Sequence, residues 1–334
     1  MIYSHPLAIL LSFRHSGSIP TELYKLNGLR VLALTRNHLT GTIPTEIILL
    51  PKLEHLGLYA NQLRGSIPKA IGDAKRLKSL QVGNNLFFGK LVSEIGKVTT
   101  LEKLTLGFNE FWRTVPTELG LLTNLRELVM EDNRFSGTLP TEMAKLTNLE
   151  HWLISRNLMT GTIPTLYAAL TKLKEFRLAY AGFSDTFPTA LSALTDLYRL
   201  ELGGNNFKGT IMTEYGLMTS LSWLALNDND FSGTIPTEFG HLVNMTRFSV
   251  KDTLVSGTIP TQLGHMTRLQ DLALSQTKMT GKAPSEVCAL RLLEMTLFVT
   301  DCLEEQDNGH IKGVLCSVPD CCTFCRRGDG RGVP

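Results

Sequence analysis

The first 287 residues of this 334-residue chain contain no cysteine. Thiol chemistry, thiolate metal ligation and disulfide bracing are therefore excluded from most of its length. No stretch approaches the roughly 18 uninterrupted apolar residues of a membrane-spanning helix, so the visible chain has no such span. An excess of one charge sign is missing too. The 33 Lys and Arg against 31 Asp and Glu leave a net +2, which gives no long-range pull on nucleic acid or an anionic membrane. Catalytic signatures are equally absent: there is no HExxH, no phosphate-cradling glycine loop with lysine, no GxSxG and no kinase set. Glu127 and Glu131 are a pair of carboxylates, but two positions along one open strand offer no pocket to raise either pKa. The chain is thus read as a non-enzyme without a cofactor or metal. Its N-terminus, MIYSHPLAILLSF, lacks basic residues before the apolar run and a small-residue cleavage site after it, which makes a poor signal peptide.

What the chain has instead is self-similarity at a fixed period. The glycine of GSIP or GTIP recurs at Gly17, Gly41, Gly65, Gly89, Gly137, Gly161, Gly209, Gly233, Gly257 and Gly281, with Arg113 and Asp185 filling two gaps in register. The period is 24 residues without insertion, and the following proline occupies ten of twelve frames, missing at Val92 and Met212. Upstream lies LxxLxLxxNxL, seen as Leu29, Leu32, Leu34, Asn37 and Leu39 and again as Leu53, Leu56, Leu58, Asn61 and Leu63. LxL alternation describes a short strand with alternate residues buried, and copies 24 residues apart can stack as a parallel sheet. The asparagines, from Asn37 to Asn229, sit where the chain leaves the strand and can satisfy turn backbone groups. Ala181, Thr253 and Thr277 interrupt that column and mark softer turns. The PTE step, as at Pro44, Thr45 and Glu46, suits the start of a helical turn, with proline presetting φ and threonine capping free N–H groups. The first-leucine column is expected to stay in the core from Leu29 to Leu293.

LxxLxLxxNxLxGxIPxx in a 24-residue frame resembles the plant-type leucine-rich repeat of receptor ectodomains and secreted inhibitors, over roughly residues 17–300. The resemblance implies an α/β repeat fold: a right-handed leucine-rich-repeat solenoid with a concave parallel β-sheet, 24-residue repeats and about twelve turns. Repeat arrays need caps. Residues 1–16 read as a degenerate or truncated first repeat, and the paired-cysteine cap usual in secreted members of the family is missing there. A truncated start would also account for the missing signal peptide. Residues 301–325 read as a cysteine-rich C-terminal cap and 326–334 as a flexible tail. Cys288, Cys302, Cys316, Cys321, Cys322 and Cys325 are disulfide candidates, and the DC, GVLC, CCTFC arrangement resembles the closure of secreted algal leucine-rich-repeat proteins. Zinc is the alternative, since Cys322 and Cys325 have CxxC spacing and Cys316, Cys321 and His310 are at hand. Fifteen disulfide pairings are open.

If the leucines point inward, the solvent face of the sheet carries the intervening positions. Those columns give Tyr59, Phe108, Glu127, Glu131, Asp132, His151, Arg156, Arg177, Tyr180, Arg199, Trp223 and Asp228 as candidate partner-binding residues. Aromatics beside arginine are typical recognition anchors. The competing reading is that mixed charge keeps a sheet soluble and unpaired at its edges. Trp152 falls in a leucine column and is read as core. Threonine forms two further columns, one through Thr42, Thr114 and Thr138 and one through Thr45, Thr117 and Thr141; these are read as turn chemistry, with ordered-water or ice binding as a minor alternative. Asn244, in Asn-Met-Thr, is a glycosylation candidate. The expected function is a receptor-like or secreted module at the cell surface or outside the cell. Its partner would be a protein, a peptide or a cell-surface glycan, not nucleic acid. An adhesive matrix or cell-wall component, or an inhibitor of a secreted polysaccharide-degrading enzyme, are the alternatives.

Overall fold

The computed structural model describes residues 7–9, 16–293 and 295–301, together with short strands at 304–305, 311–315, 324–326 and 332–333. It divides into two compact units, Met1–Leu173 and Lys174–Pro334. Each is a stack of 24-residue coils.

In the first unit the strands Leu7–Ile9, Val31–Ala33, His55–Gly57, Ser79–Gln81, Lys103–Thr105, Glu127–Val129 and His151–Leu153 form a parallel sheet. Its register steps by one repeat, with Leu32 opposite Leu56 and Leu104 opposite Leu128. The second unit repeats this from Glu175–Arg177 to Leu297–Asp301, then adds Phe324–Arg326 in parallel and Gly332–Val333 antiparallel. After each strand the chain turns and enters a second short strand that pairs with its neighbours, as Arg64–Gly65 does with Leu86–Gly89 and Asn206–Thr210 with Asp230–Ser232.

Packing explains why each coil exists only beside others. The LxL leucines are fully buried, and so is Trp152 in its leucine column. The second position after the asparagine column becomes a spine of phenylalanine: Phe87, Phe111 and Phe135 stack at 6.4 and 6.1 Å in the first unit, and Phe183, Phe207 and Phe231 do the same at 6.4 and 6.1 Å in the second. Such offset stacking adds to the area term within a continuous core.

The asparagine ladder is structural. Asn61 Oδ1 accepts the Leu39 N–H at 3.0 Å while its Nδ2 donates to Leu34 O at 2.9 Å and Leu58 O at 3.0 Å, so one side chain ties two coils together. Where the column is interrupted, Thr253 and Thr277 hydroxyls still donate to Val250 O and Leu274 O, at 2.6 and 2.8 Å. Asp301, which falls in the same column, accepts the Gln276 and Thr277 N–H groups at 2.9 and 3.2 Å.

Two expectations are corrected here. Helical turns do follow the proline, nearly all of them 3₁₀, but the N-cap is the proline itself and no side chain caps the free N–H groups. The threonine hydroxyl turns to the next side chain, as Thr117 Oγ1 does to Glu118 Oε2 at 3.3 Å. Leu293, placed in the core by periodicity, is 61% exposed. An α-helical turn at Ser285–Ala289 followed by a 3₁₀ turn at Leu290–Leu292 replaces the single turn of the other frames, which is 3₁₀ except at Thr45–Ile48. Met295 is buried in this last frame.

Candidate functional site

The solvent face of the first unit's sheet is not uniform. Column by column along the coils, the position four residues before the spine reads Thr35, Tyr59, Gly83, Gly107, Glu131 and Ser155. Two successive missing side chains leave a depression there, and a cleft of about 310 Å³ opens over them. Tyr59 stands at one end, close enough that a Cβ on Gly83 would meet its ring at 3.2 Å, and Val129 and Glu131 stand at the other, 3.2 and 3.4 Å from a Cβ on Gly107. Gln81, Lys103, Thr105, Phe108 and Glu127 complete the lining.

Lys103 Nζ is 2.8 Å from Glu127 Oε2 across neighbouring strands. Phe108 is 47% exposed and sits at φ +57°. It belongs to a column of left-handed residues that includes Arg36, Ala60, Asn84, Asp132 and Arg156 in this unit, at φ between 51° and 57°. The left-handed conformation costs a residue with a side chain roughly 1–2 kcal/mol. The coil geometry demands it at the corner where the strand ends, and it turns Phe108 outward beside the cleft.

The second unit's sheet face is organised differently. One register column reads Glu175, Arg199, Trp223, Arg247, Asp271. The guanidinium carbons of Arg199 and Arg247 lie 3.8 and 4.4 Å from the centre of the Trp223 ring. Arg199 also donates to Glu201 Oε1 at 2.7 Å and lies 3.6 Å from Glu175. Arg177 is hydrogen-bonded to the buried Glu175 at 2.6 Å, and Arg247 Nε is 2.8 Å from Asp271. The charges therefore compensate one another along the column, and the indole is held between two cations. Tyr180, at φ +53°, lays its ring over Gly204, where a Cβ would meet it at 2.2 Å, and its hydroxyl reaches Asp228 Oδ2 at 3.5 Å.

Of the residues singled out by sequence, Tyr59, Phe108, Glu127 and Glu131 come together at the cleft. His151 follows Glu127 in register, one strand along. Asp132 and Arg156 stand in the left-handed corner column. Arg177, Arg199 and Trp223 form the compensated network, and Tyr180 with Asp228 closes over glycine. Sequence reasoning missed Gly83 and Gly107, whose contribution is an absence; two glycines in one column of adjacent repeats are the signal that was available. On the second strand ladder Trp112 is 42% exposed with the Arg113 guanidinium 4.9 Å from its ring. The Asn244 amide is engaged at both ends, donating to Thr219 O and accepting from Arg268, each at 3.1 Å. Cys302, Cys316, Cys321 and Cys322 lie outside the described residues, as does the side chain of Cys325.

The family model described as Leucine Rich Repeat matches residues 124–146 and 220–242. No curated protein sequence matches the chain significantly. Among solved structures, the plant peptide hormone receptor RGFR1 in complex with RGF2 is 29% identical over 87% of this chain and 50% of its own, with a TM-score of 0.78. The ectodomain of the plant membrane receptor kinase GASSHO1/SCHENGEN3 from Arabidopsis thaliana, in complex with Casparian strip integrity factor 2, is 29% identical over 86% of this chain and 38% of its own, TM-score 0.75. A plant ice-binding protein is 28% identical over 72% and 77%, TM-score 0.64. The chain thus spans half or less of the length of those receptor chains.

Proposed function

The chain is a leucine-rich-repeat protein of the plant type, and from that premise we propose that it is a non-catalytic recognition module that binds a peptide on the sheet face of its first unit. One observation carries the proposal: the cleft over Gly83 and Gly107, walled by Tyr59, Phe108 and Glu131. A concave site with a few convergent polar groups and aromatic walls is the form that ligand sites take. The likeness to a plant peptide hormone receptor in complex with RGF2 and to a plant membrane receptor kinase ectodomain in complex with Casparian strip integrity factor 2 supports the same reading. An extracellular setting accompanies it, supported by those relatives. The test is affinity selection of a linear peptide library on the full chain, followed by titration against Tyr59→Ala and Phe108→Ala. Peptides that bind the parent and lose at least tenfold in affinity on either variant support the reading; peptides indifferent to both sink it.

A second reading has its own observation. Methyl groups of Thr42, Thr114 and Thr138 in the first unit sit over the next coil's glycine, where a Cβ would meet them at 2.9–3.0 Å, and Thr186, Thr210, Thr234 and Thr258 do so at 2.8–3.1 Å in the second. The contacts fix the rotamer of each exposed threonine, so the hydroxyls repeat at the coil spacing of about 4.8 Å. Such a ladder suits ordered water, and the likeness to a plant ice-binding protein favours it. Thermal hysteresis of the purified protein, compared with a Thr210→Lys, Thr234→Lys variant, decides this reading.

A further inference from the structure

We propose that the second strand ladder of the first unit is a docking surface for an acidic, extended segment of a partner protein, one that sets an apolar side chain among carboxylates. This surface is separate from the sheet face that holds the cleft, and the proposal does not depend on that site.

The ladder runs through Arg64–Gly65, Leu86–Gly89, Glu110–Arg113 and Arg134–Gly137. Phe87, Phe111 and Phe135 are buried in the spine, so the residues on either side of each face outward. In the flanking coils those outward positions hold Gln62, Arg64, Arg134 and Ser136. The two coils between them bring together Leu86, Phe88 and Trp112, beside Glu110, and Leu86 and Phe88 are each 51% exposed. Single exposed apolar residues are ordinary on a protein surface, whereas a contiguous group of them marks a place of contact.

Charge determines the sign of the partner. The four segments 61–66, 85–90, 109–114 and 133–138 carry the cations Arg64, Lys90, Arg113 and Arg134 against one carboxylate, Glu110. Glu110 lies 3.7 Å from Arg134, which leaves Arg64, Lys90 and Arg113 without an acidic partner among the described residues. A partner bearing carboxylates therefore meets attraction here, and a basic one meets repulsion.

The backbone supplies an independent observation. Arg113 stands at φ +75°, where the six other coils of this unit have glycine at φ between 76° and 92°. The strained residue carries its guanidinium to 4.9 Å from the Trp112 ring, and strain of this kind gathers at positions that contact ligands. Tryptophan and arginine are also the residues that supply most of the energy at protein interfaces. Leu86 favours a protein over an acidic polysaccharide, because sugar hydroxyls laid against leucine lose water without gaining hydrogen bonds.

The experiment selects a linear peptide library on the full chain carrying Tyr59→Ala and Phe108→Ala, which removes cleft binders, and titrates the enriched peptides by calorimetry. The expected peptides place an apolar residue between aspartates or glutamates. Their affinity should fall at least tenfold on Trp112→Ala and several-fold on Lys90→Gln and on Arg113→Gly, the last of which relieves backbone strain and so keeps the chain folded. Circular dichroism checks the fold of every variant. Exchanging the acidic residues for their amides, or raising the salt, should weaken binding to a similar extent. Enrichment of basic or uncharged peptides, no enrichment, or indifference to all three ladder variants overturns the proposal. Polygalacturonate or a single-stranded oligonucleotide that binds through the same residues more tightly than any peptide also overturns it, by making the ladder a polyanion site. The cleft reading is judged separately, by Tyr59 and Phe108 in the parent chain, and stands or falls without regard to these outcomes.

Discussion

The Arg199 guanidinium lies 3.8 Å from the centre of the Trp223 ring, and Arg247 approaches the same ring to 4.4 Å from the strand on the other side. The indole is thus held between two cations within the protein. Removing it should lower stability, because two cation–π contacts at a half-exposed site amount to about 1–2 kcal/mol together. Trp223→Ala is expected to shift the urea unfolding midpoint accordingly, while peptide affinity at the first unit's cleft stays at the parent value. An unchanged midpoint would mean that the stacked column contributes nothing.

Asn205 predicts a larger loss. Its Oδ1 accepts the N–H groups of Phe183 and Ala181 at 3.0 and 3.2 Å, and its Nδ2 donates to Leu202 O at 2.8 Å and Leu178 O at 2.9 Å. Alanine would strand several buried backbone groups, each costing about 1–3 kcal/mol. Asn205→Ala should therefore destabilise by about 3 kcal/mol or more in denaturant unfolding. A loss under 1 kcal/mol would show that water replaces the amide freely.

The glycine column makes a paired prediction. Gly161 sits at φ +78° with the Thr138 methyl 2.9 Å from where a Cβ would stand. Arg113 occupies the equivalent position at φ +75°. Gly161→Ala should cost about 1–2 kcal/mol through left-handed strain and contact together, whereas Arg113→Gly relieves strain of similar size and should leave stability unchanged or raise it. Thermal unfolding of the two variants checks both signs. If Arg113→Gly destabilises by more than 1 kcal/mol, the Arg113 contact with Trp112 outweighs the backbone.

These residues also show how far the sequence could be read. Leu32, Leu56 and Asn61 were legible because burial and turn satisfaction must recur at every coil, so periodicity alone places them. The exposure of Leu293 was not, because the second turn, Leu290–Leu292, that follows the α-helical turn at Ser285–Ala289 adjusts the phase without altering the residue pattern. At the cleft, strand alternation located Tyr59, Glu127 and Glu131 on the solvent face. It could not show that Phe108 leaves the strand in a left-handed corner, nor that Gly83 and Gly107 create space, since a missing side chain has no periodic signature of its own. Trp223 was visible as an aromatic among arginines, yet only distances reveal that those arginines cover it.

The buried tyrosines predict an alkaline limit of stability. Burial pushes the Tyr215 hydroxyl well above the usual tyrosine range, and burial followed by the field of Glu142 does the same for Tyr167. A folded pKa above the unfolded value of about 10 means that the stabilisation is fully present below pH 10 and is lost as pH rises from there toward the folded value. Stability of the parent should therefore fall steeply above about pH 10. The two hydroxyls differ at neutral pH. Tyr167 donates to Pro140 O at 2.8 Å, so Tyr167→Phe should cost about 1 kcal/mol, while the Tyr215 hydroxyl has no hydrogen-bond partner among the described residues, so Tyr215→Phe should cost nothing or stabilise. The double variant, unable to ionise at either site, should show a shallower decline between pH 10 and 11 than the parent. Unfolding midpoints measured from pH 7 to 11 test this directly, and parallel curves for parent and double variant would place the alkaline limit in other groups.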